Sequence, residues 1–245
     1  MTLSLRQKLA IVPLLLYWPA IFIATHIPKA PAWLSRLGTS DKTLHFFAYL
    51  VLVFMLWFAI SPGKKVNWRR AAVWWVLLVM VWYGVVDEWL QGYVGRSPDT
   101  RDFLADMAGV LTSLILLTVF PAWPVSLALT AATIVIATNV IRANTAEQLP
   151  VINAVFHLFG YGLFTLLWTR YIRHFLPVRP PQLRWLTGAF VLPAALLAAV
   201  ELFCGIAGND FRFSSIIISA AAITAVIAAN YLPALCRQKL PPPED

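Results

Sequence analysis

Long apolar stretches separated by short polar segments dominate the chain. A helix needs roughly 17–25 residues to cross the hydrocarbon core of a bilayer, and eight stretches reach that length. They are 9–28, 43–61, 71–91, 102–120, 122–142, 151–170, 184–204 and 212–235. Little chain remains for loops and tails, so we expect no attached soluble domain. The pattern predicts an all-α fold: a polytopic transmembrane helix bundle of about eight helices.

Composition indicates that lipid is the solvent for most of the chain. Apolar residues make up 60% and charged residues 12%, whereas soluble domains carry roughly 25% charged residues. This balance argues against a soluble enzyme, a coiled coil, a disordered chain and a disulfide-rich scaffold. The net charge of +8 could suggest nucleic acid, but basic residues in membrane proteins concentrate in cytoplasmic loops beside anionic lipid. We therefore expect membrane lipid, and no nucleic acid, as a partner.

The placement of Lys and Arg predicts the orientation. Basic residues occur in the amino-terminal tail, in 61–70, in 170–184 and near the carboxy terminus, and with eight spans all four segments fall on one side. That side is cytoplasmic by the positive-inside rule. We expect a multi-pass protein of the plasma (inner) membrane with both termini in the cytoplasm and a disordered tail at 237–245. The first span contains Pro13 and Pro19 and is longer than a signal-peptide core, so we expect it to be retained.

An internal repeat relates the two halves of the chain. A shift of about 112 or 113 positions pairs His45 with His157, Tyr49 with Tyr161, Glu88 with Glu201, Gly92 with Gly205 and Gly95 with Gly208. Shared hydrophobic composition is the weaker explanation, because the matched residues are polar residues and glycines, not leucines. We predict two parallel four-helix repeats, 1–121 and 122–236, related by an axis along the membrane normal.

Polar residues of the first repeat form a stripe at the start of the second helix. Asp41, His45 and Tyr49 are spaced by four residues, so they lie on one helix face. Asp41 could equally be an N-cap, and Tyr49 an interfacial aromatic residue. The recurrence of His45 as His157 favours a functional site over a histidine bonded within the core.

A carboxylate and an amide lie at the end of the third helix. Glu88 and Gln91 are one turn apart and face the same way, whereas Asp87 points about 100° away and could simply face head groups. A carboxylate after so long an apolar stretch must be paired, protonated or bound to a ligand. Arg96, in the following loop, could neutralise a carboxylate or form a structural salt bridge.

The fourth helix begins with two more carboxylates. Asp102, Asp106 and Gly109 share a face, and Gly109 permits close helix approach. Helix capping could explain Asp102 but not Asp106, which lies a full turn deeper. His45, Glu88 and Asp102 could hold a divalent cation, perform acid–base chemistry on an anionic head group, or form a network that only locks the helices. No HExxH, GxSxG, phosphate-loop or CxxC motif is present, so the cofactor stays unknown, with a divalent cation as one candidate.

These motifs together resemble the VanZ-like family of small membrane proteins, which is linked to teicoplanin resistance. The resemblance covers roughly residues 41–110: DKTLHF followed by Tyr49, then EWLQ, Arg96, Asp102 and Gly109. The family pattern supports Asp41, Lys42, His45, Glu88, Gln91, Arg96 and Asp102. Asp106 departs from it, since Asn is common there, and the family often has one four-helix unit where we predict two. The resemblance implies a role at the cell envelope without naming a reaction.

The leading hypothesis is an outward-facing site that binds or acts on a lipid-linked or cell-wall-derived head group. If the protein is an enzyme, which stays undecided, His45 would be a general base or metal ligand, and Glu88 and Asp102 acid–base groups or metal ligands. The expected binding residues are Asp41, Lys42, Tyr49, Gln91, Arg96 and Asp106. The alternatives are a non-catalytic envelope protein that shields wall precursors or sequesters a glycopeptide, and a small-solute transporter, which polar groups at one face disfavour.

The second repeat has lost most of this polar set. The replacements are Cys204 for Gln91, Asn209 for Arg96, Ser215 for Asp102 and Ser219 for Asp106. We therefore expect activity to belong to the first repeat, with the second as a structural partner. Because buried polar groups need partners, we expect a hydrogen bond between His157 and Glu201.

Overall fold

The computed structural model describes residues 5–26, 41–95, 99–144, 150–175, 177–208 and 211–238. Within these residues the chain is helical, which confirms the predicted all-α fold. The long helices are α1 (Leu5–Thr25), α2 (Asp41–Ile60), α3 (Ala71–Gln91), α4 (Thr100–Val119), α5 (Ala122–Asn144), α6 (Pro150–Phe175), α7 (Leu183–Ile206) and α8 (Phe213–Gln238). A short 3-10 turn, Gly92–Val94, follows α3. Each predicted apolar stretch therefore coincides with one helix.

The helices present apolar surface outward. Among the described residues, seven helices are long and apolar enough to cross a membrane, and α1 contains a shorter apolar stretch, Ala10–Ile23. Only 28–39% of each spanning segment is buried inside the protein, and Trp75, Trp82 and Trp89 are each more than 60% exposed. In water such faces would drive aggregation, whereas in lipid each helix satisfies its own backbone. The chain is a multi-pass membrane protein.

The chain divides into two compact units, unit 1 (Met1–Val125) and unit 2 (Ser126–Asp245). In unit 1 the most extensive helix packing is between α2 and α4. A Cβ atom on Gly109 of α4 would collide with the carbonyl oxygen of Phe46 in α2. The glycine therefore allows the two backbones to touch, as its position on α4 predicted.

One end of unit 1 is closed by the α2–α3 loop, which folds onto the end of α4. Trp57 Nε1 donates to the carbonyl of Lys64 at 3.0 Å, and the Val66 N–H donates to the carbonyl of Leu117 at 3.0 Å. Lys65 Nζ donates to the carbonyl of Val119 at 2.7 Å. Because α2, α3 and α4 alternate in direction, the first residue of α2, the last of α3 and the first of α4 lie at the opposite end.

Unit 2 has its own apolar core. Tyr161, Phe164, Trp185 and Ile227 are among its buried residues, and they come from α6, α7 and α8. Trp168 Nε1 donates to the carbonyl of Gly188 at 2.9 Å, which ties α6 to α7. The main packing of this unit is between α6 and α8, the helices whose sequences match α2 and α4.

Candidate functional site

The predicted site residues of unit 1 lie at one end of three helices. Those within the described residues are Asp41, Lys42, His45 and Tyr49 on α2, Glu88 and Gln91 on α3, and Asp102 and Asp106 on α4. Arg96 lies outside the described residues, so its predicted role stays a prediction. The buried members include charged groups, which the hydrocarbon of a membrane tolerates only when they are paired or functional.

His45 lies between two carboxylates of α4. Its Nδ1 is 3.0 Å from Asp106 Oδ1, and its Nε2 is 4.0 Å from Asp102 Oδ2. The side chains are 4% exposed for His45, 8% for Asp102 and 0% for Asp106. With Nδ1 protonated, the ring donates to Asp106, and this bond directs Nε2 toward Asp102. Asp106 therefore fixes the orientation of the histidine.

A lysine links the two carboxylates nearest the surface. Lys42 Nζ lies 3.2 Å from Asp99 Oδ2 and 3.1 Å from Asp102 Oδ1. The side chains of Lys42 and Asp99 are each 41% exposed, so this pair forms the rim of the site, and Asp102 lies beneath it. Only Asp102, of these three groups, is buried.

Asp99 is also the N-cap of α4. Helix capping was the alternative explanation that the sequence offered for Asp102. Asp99 Oδ1 accepts the backbone N–H of Arg101 at 2.9 Å. This amide, together with the Lys42 ammonium, lowers the pKa of Asp99. Asp102 instead follows in the first turn of the helix, where the helix dipole favours a negative charge.

Glu88 receives a backbone donor. Its Oε2 accepts the N–H of Asp99 at 2.9 Å, so the buried carboxylate has a polar partner, which is an amide and not a basic side chain. Its other oxygen, Oε1, is buried with no hydrogen-bond partner among the described residues, and the same holds for Asp106 Oδ2 and the Tyr49 hydroxyl. Tyr49 is 0% exposed, so it does not lie in an interfacial aromatic belt.

The expectation that Asp87 faces head groups is wrong. Asp87 is 0% exposed, because the end of α1 packs over it. Its Oδ1 accepts the Thr25 hydroxyl at 3.0 Å, and His26 Nδ1 lies 3.7 Å from the same oxygen. Its Oδ2 accepts Gln91 Nε2 at 3.0 Å. The amide of Gln91 is therefore engaged with Asp87, and not paired with Glu88.

Thr25 and His26 are polar residues of this end that the sequence interpretation missed. A signal for them exists: the tripeptide Ala-Thr-His at 24–26 recurs as Ala-Thr-Asn at 137–139, with the shift of 113 that relates Glu88 to Glu201. Asn139 of the second copy lies near the residue that replaces Gln91, with its Oδ1 3.5 Å from Cys204 Sγ.

Unit 2 retains the histidine but pairs it differently. His157 Nδ1 lies 3.0 Å from the Ser219 hydroxyl, and Asn153 Nδ2 donates to the Ser215 hydroxyl at 3.0 Å. The partner observed for Nδ1 is thus Ser219, and the expected hydrogen bond between His157 and Glu201 stays a prediction. Ser219 lies on α8, and its hydroxyl replaces the carboxylate of Asp106.

Two groups of three residues could hold a cation. One ligand atom from each member lies within 4.8 Å of the others in Asp41–His45–Asp102 and in His45–Glu88–Asp106. The predicted set His45, Glu88 and Asp102 is therefore divided between two overlapping groups that share His45. The second group is buried throughout.

Comparison with known proteins finds no match for this chain among protein-family models, curated proteins or solved structures. Its function must therefore be argued from the site.

Proposed function

We propose that unit 1 binds the polar head group of a lipid-linked cell-envelope molecule at the outer face of the plasma membrane. The observation that carries the proposal is the burial of His45 between two carboxylates, directly beneath the half-exposed Lys42–Asp99 rim. Charged groups so placed can be reached by a head group while its lipid tail stays in the bilayer.

The direction of the site follows from charge. Lys64, Lys65, Arg69 and Arg70 lie in the α2–α3 segment at the opposite end of unit 1. Basic residues in short loops favour the cytoplasmic side. The end of unit 1 where α2 and α4 begin and α3 ends (the α2–α4 end) would then face outward, where wall precursors are exposed and where glycopeptide antibiotics arrive.

The resemblance to the VanZ-like family supports this assignment. Of the residues that carry it, DKTLHF, EWLQ and Asp102 belong to the α2–α4 end, whereas Tyr49 and Gly109 lie further along α2 and α4. Under this proposal the partners are membrane lipid and a lipid-linked wall precursor or a glycopeptide, and the biological outcome is a change in glycopeptide susceptibility.

If a reaction follows binding, His45 is the proton acceptor. Asp106 holds Nδ1, and Nε2 lies 4.0 Å from Asp102 Oδ2. An imidazole oriented by a carboxylate through one nitrogen can accept a proton at the other. Lys42, at the rim, supplies a fixed positive charge near the incoming group.

The test is binding of a fluorescent lipid-linked disaccharide–peptide wall precursor to the full chain in nanodiscs. We expect the wild type to bind it, His45→Ala to weaken binding at least roughly tenfold, and His157→Ala to change it by less than about twofold. Teicoplanin in a parallel titration distinguishes precursor binding from direct sequestration. Binding that is equal in wild type and His45→Ala would contradict the proposal.

The orientation of unit 1 in the membrane has a separate test. In a Cys236→Ser background, Lys65→Cys should be protected from an impermeant thiol reagent added to intact cells, because this loop is expected to be cytoplasmic. Labelling should appear once the membrane is opened. Reaction in intact cells would place the α2–α4 end in the cytoplasm instead.

A further inference from the structure

We propose that unit 1 binds one divalent first-row transition-metal ion, Zn²⁺ or Mn²⁺, through His45, Glu88 and Asp106. The ion would occupy the same site as the head group proposed above, and His45 would then hold the ion and would not act as the proton acceptor. Its role in that function rests on the proposal, whereas the binding of the ion rests on geometry alone.

The three ligands come from three different helices. His45 lies on α2, Glu88 on α3 and Asp106 on α4, and one ligand atom of each lies within 4.8 Å of the other two. Two atoms bound at about 2.0–2.2 Å from one ion are at most about 4.4 Å apart. A small side-chain adjustment would therefore let all three residues bind one ion. The ion would link α2, α3 and α4.

Two buried oxygens without hydrogen-bond partners support the ion site independently of the distances between the ligand atoms. Glu88 Oε1 and Asp106 Oδ2 are buried, and neither has a hydrogen-bond partner in the described part of the chain. The residues themselves are 8% and 0% exposed. A buried carboxylate oxygen without a partner is costly, and a cation held between the two residues would give both oxygens a partner.

The other oxygen of each carboxylate is already held. Glu88 Oε2 accepts the Asp99 N–H at 2.9 Å, and Asp106 Oδ1 lies 3.0 Å from His45 Nδ1. Such outer contacts fix the direction of a metal-binding side chain. Each carboxylate is thus anchored by one oxygen, and its other oxygen is buried without a hydrogen-bond partner among the described residues.

The charge balance of the site favours a cation. The one lysine of the cluster, Lys42, is engaged with Asp99 and Asp102 at the rim. Glu88 is stabilised by an amide dipole, and Asp106 by the histidine. A 2+ ion would offset the negative charge of Glu88 and Asp106, which no lysine or arginine of the described residues contacts.

The mixture of donors selects the class of ion. An imidazole beside carboxylates suits Zn²⁺ or Mn²⁺, whereas Ca²⁺ and Mg²⁺ prefer oxygen ligands throughout, and no cysteine belongs to the set. Three protein ligands leave a coordination position open. A phosphate oxygen of a head group could take that position, which would let an acidic site accept an anionic ligand.

Unit 2 provides a matched control within the same chain. It retains His157 and Glu201, but Ser219 stands where Asp106 stands in unit 1, and its hydroxyl is bonded to His157 Nδ1. A neutral hydroxyl is a weaker ligand for these ions than a carboxylate. We therefore expect one ion per chain, in unit 1.

The experiment measures metal binding by the chelator-treated full chain in detergent, without any lipid precursor. Titration calorimetry with Zn²⁺ and Mn²⁺, together with elemental analysis after desalting, should give one ion per wild-type chain. Glu88→Gln and Asp106→Asn should weaken the affinity at least roughly 100-fold, whereas Glu201→Gln should leave it within about twofold. Co²⁺ in place of Zn²⁺ should give visible absorption bands that Asp106→Asn loses.

A further variant guards against misfolding. Asp106→Ser introduces the residue that unit 2 already accommodates at the matched position, so it should fold with a normal circular dichroism spectrum and still lose the ion. A wild-type chain that binds neither ion stoichiometrically, or variants that keep wild-type affinity, would overturn the proposal. Metal binding without precursor binding would support the ion site and contradict the head-group function. Precursor binding without metal binding would support the head-group function and contradict the ion site.

Discussion

The helix pair α2–α4 of unit 1 and the helix pair α6–α8 of unit 2 make side-chain contacts at matched positions. The residues that make them differ in charge. In both pairs, a histidine Nδ1 lies 3.0 Å from a side-chain oxygen of the partner helix: Asp106 in unit 1 and Ser219 in unit 2. One turn nearer the helix start, unit 2 joins Asn153 to Ser215, and unit 1 has the acids Asp41 and Asp102.

The difference shows that charged side chains are not needed to hold such a pair of helices together. In unit 2 the contacts described between the two helices join an amide and an imidazole to two hydroxyl groups. The same contacts could have been kept in unit 1 without burying carboxylates, whose desolvation is costly. Locking helices is therefore an insufficient reason for the acids of unit 1, and the ligands proposed above would supply the missing reason.

The largest effect is expected from the glycine at the α2–α4 crossing. Gly109→Ala would place a Cβ against the backbone of α2 at Phe46, so the helices must separate, and we expect a loss of at least about 3 kcal/mol in stability. The matched residue of unit 2 is already alanine, Ala222. Ala222→Gly should cost only about 1 kcal/mol.

Thermal unfolding in detergent, followed by circular dichroism, compares the two variants. Near-equal effects of Gly109→Ala and Ala222→Gly would mean that the two crossings tolerate a Cβ alike. The difference between the units would then lie in charge alone.

Exchanging the polar sets should give the next largest effect. Replacing Asp102 and Asp106 of unit 1 by serine should preserve the fold and abolish metal and precursor binding, because a neutral pair already suffices in unit 2. Replacing Ser215 and Ser219 by aspartate should destabilise unit 2 by several kcal/mol, roughly the cost of burying unpaired charge. Stability and metal titrations on both double variants measure this.

One result would contradict the conclusion that the acids of unit 1 are not needed for its fold. If the serine variant of unit 1 unfolds while the aspartate variant of unit 2 stays as stable as wild type, the acids are structural in unit 1. The neutral set would then be the special case.

The sequence predicted the fold because helix-length apolar stretches are a strong signal, and every one of them is a helix. Spacing by four also predicted that Asp41 and His45 share a face of α2, and Asp102 and Asp106 a face of α4, but it gave no sign of Asp99 at the rim. The sequence interpretation failed at Asp87, because a single helix pattern cannot show that another helix covers the apparently outward face. Thr25 and His26 were missed for the same reason: their importance depends on α1 packing over Asp87.

Asp87 itself gives a smaller test of the comparison. Unit 2 has Val200 at the matched position, whereas Asp87 accepts bonds from Thr25 and Gln91. Asp87→Val leaves both donors without their acceptor, so we expect a loss of about 1–3 kcal/mol. Asp87→Asn keeps one acceptor oxygen and should cost less. Equal unfolding temperatures for wild type and Asp87→Val would show that the bonds to Asp87 do not hold α1 in place.

The smallest effect is expected at the start of α4. Asp99 caps this helix through the Arg101 N–H and pairs with Lys42, while Arg212 stands at the matched position before α8 and has no carboxylate to offer. Asp99→Ala should lower the unfolding temperature by a few degrees at most, because the side chain is partly exposed and its ion pair is screened. Arg212→Ala should lower it less.

The effect of Asp99 should also depend on pH with a known sign. Its folded-state pKa is lowered from an ordinary value of 3.8, first by the Arg101 amide and then by Lys42. A carboxylate with a lowered pKa contributes its full stability above that ordinary value and loses it as the pH falls through the folded-state pKa. The stability difference between wild type and Asp99→Ala should therefore be constant near neutral pH and shrink below about pH 4. A difference that instead grows on acidification would show that Asp99 is destabilising when ionised, and that the rim owes its geometry to Lys42 and Asp102 alone.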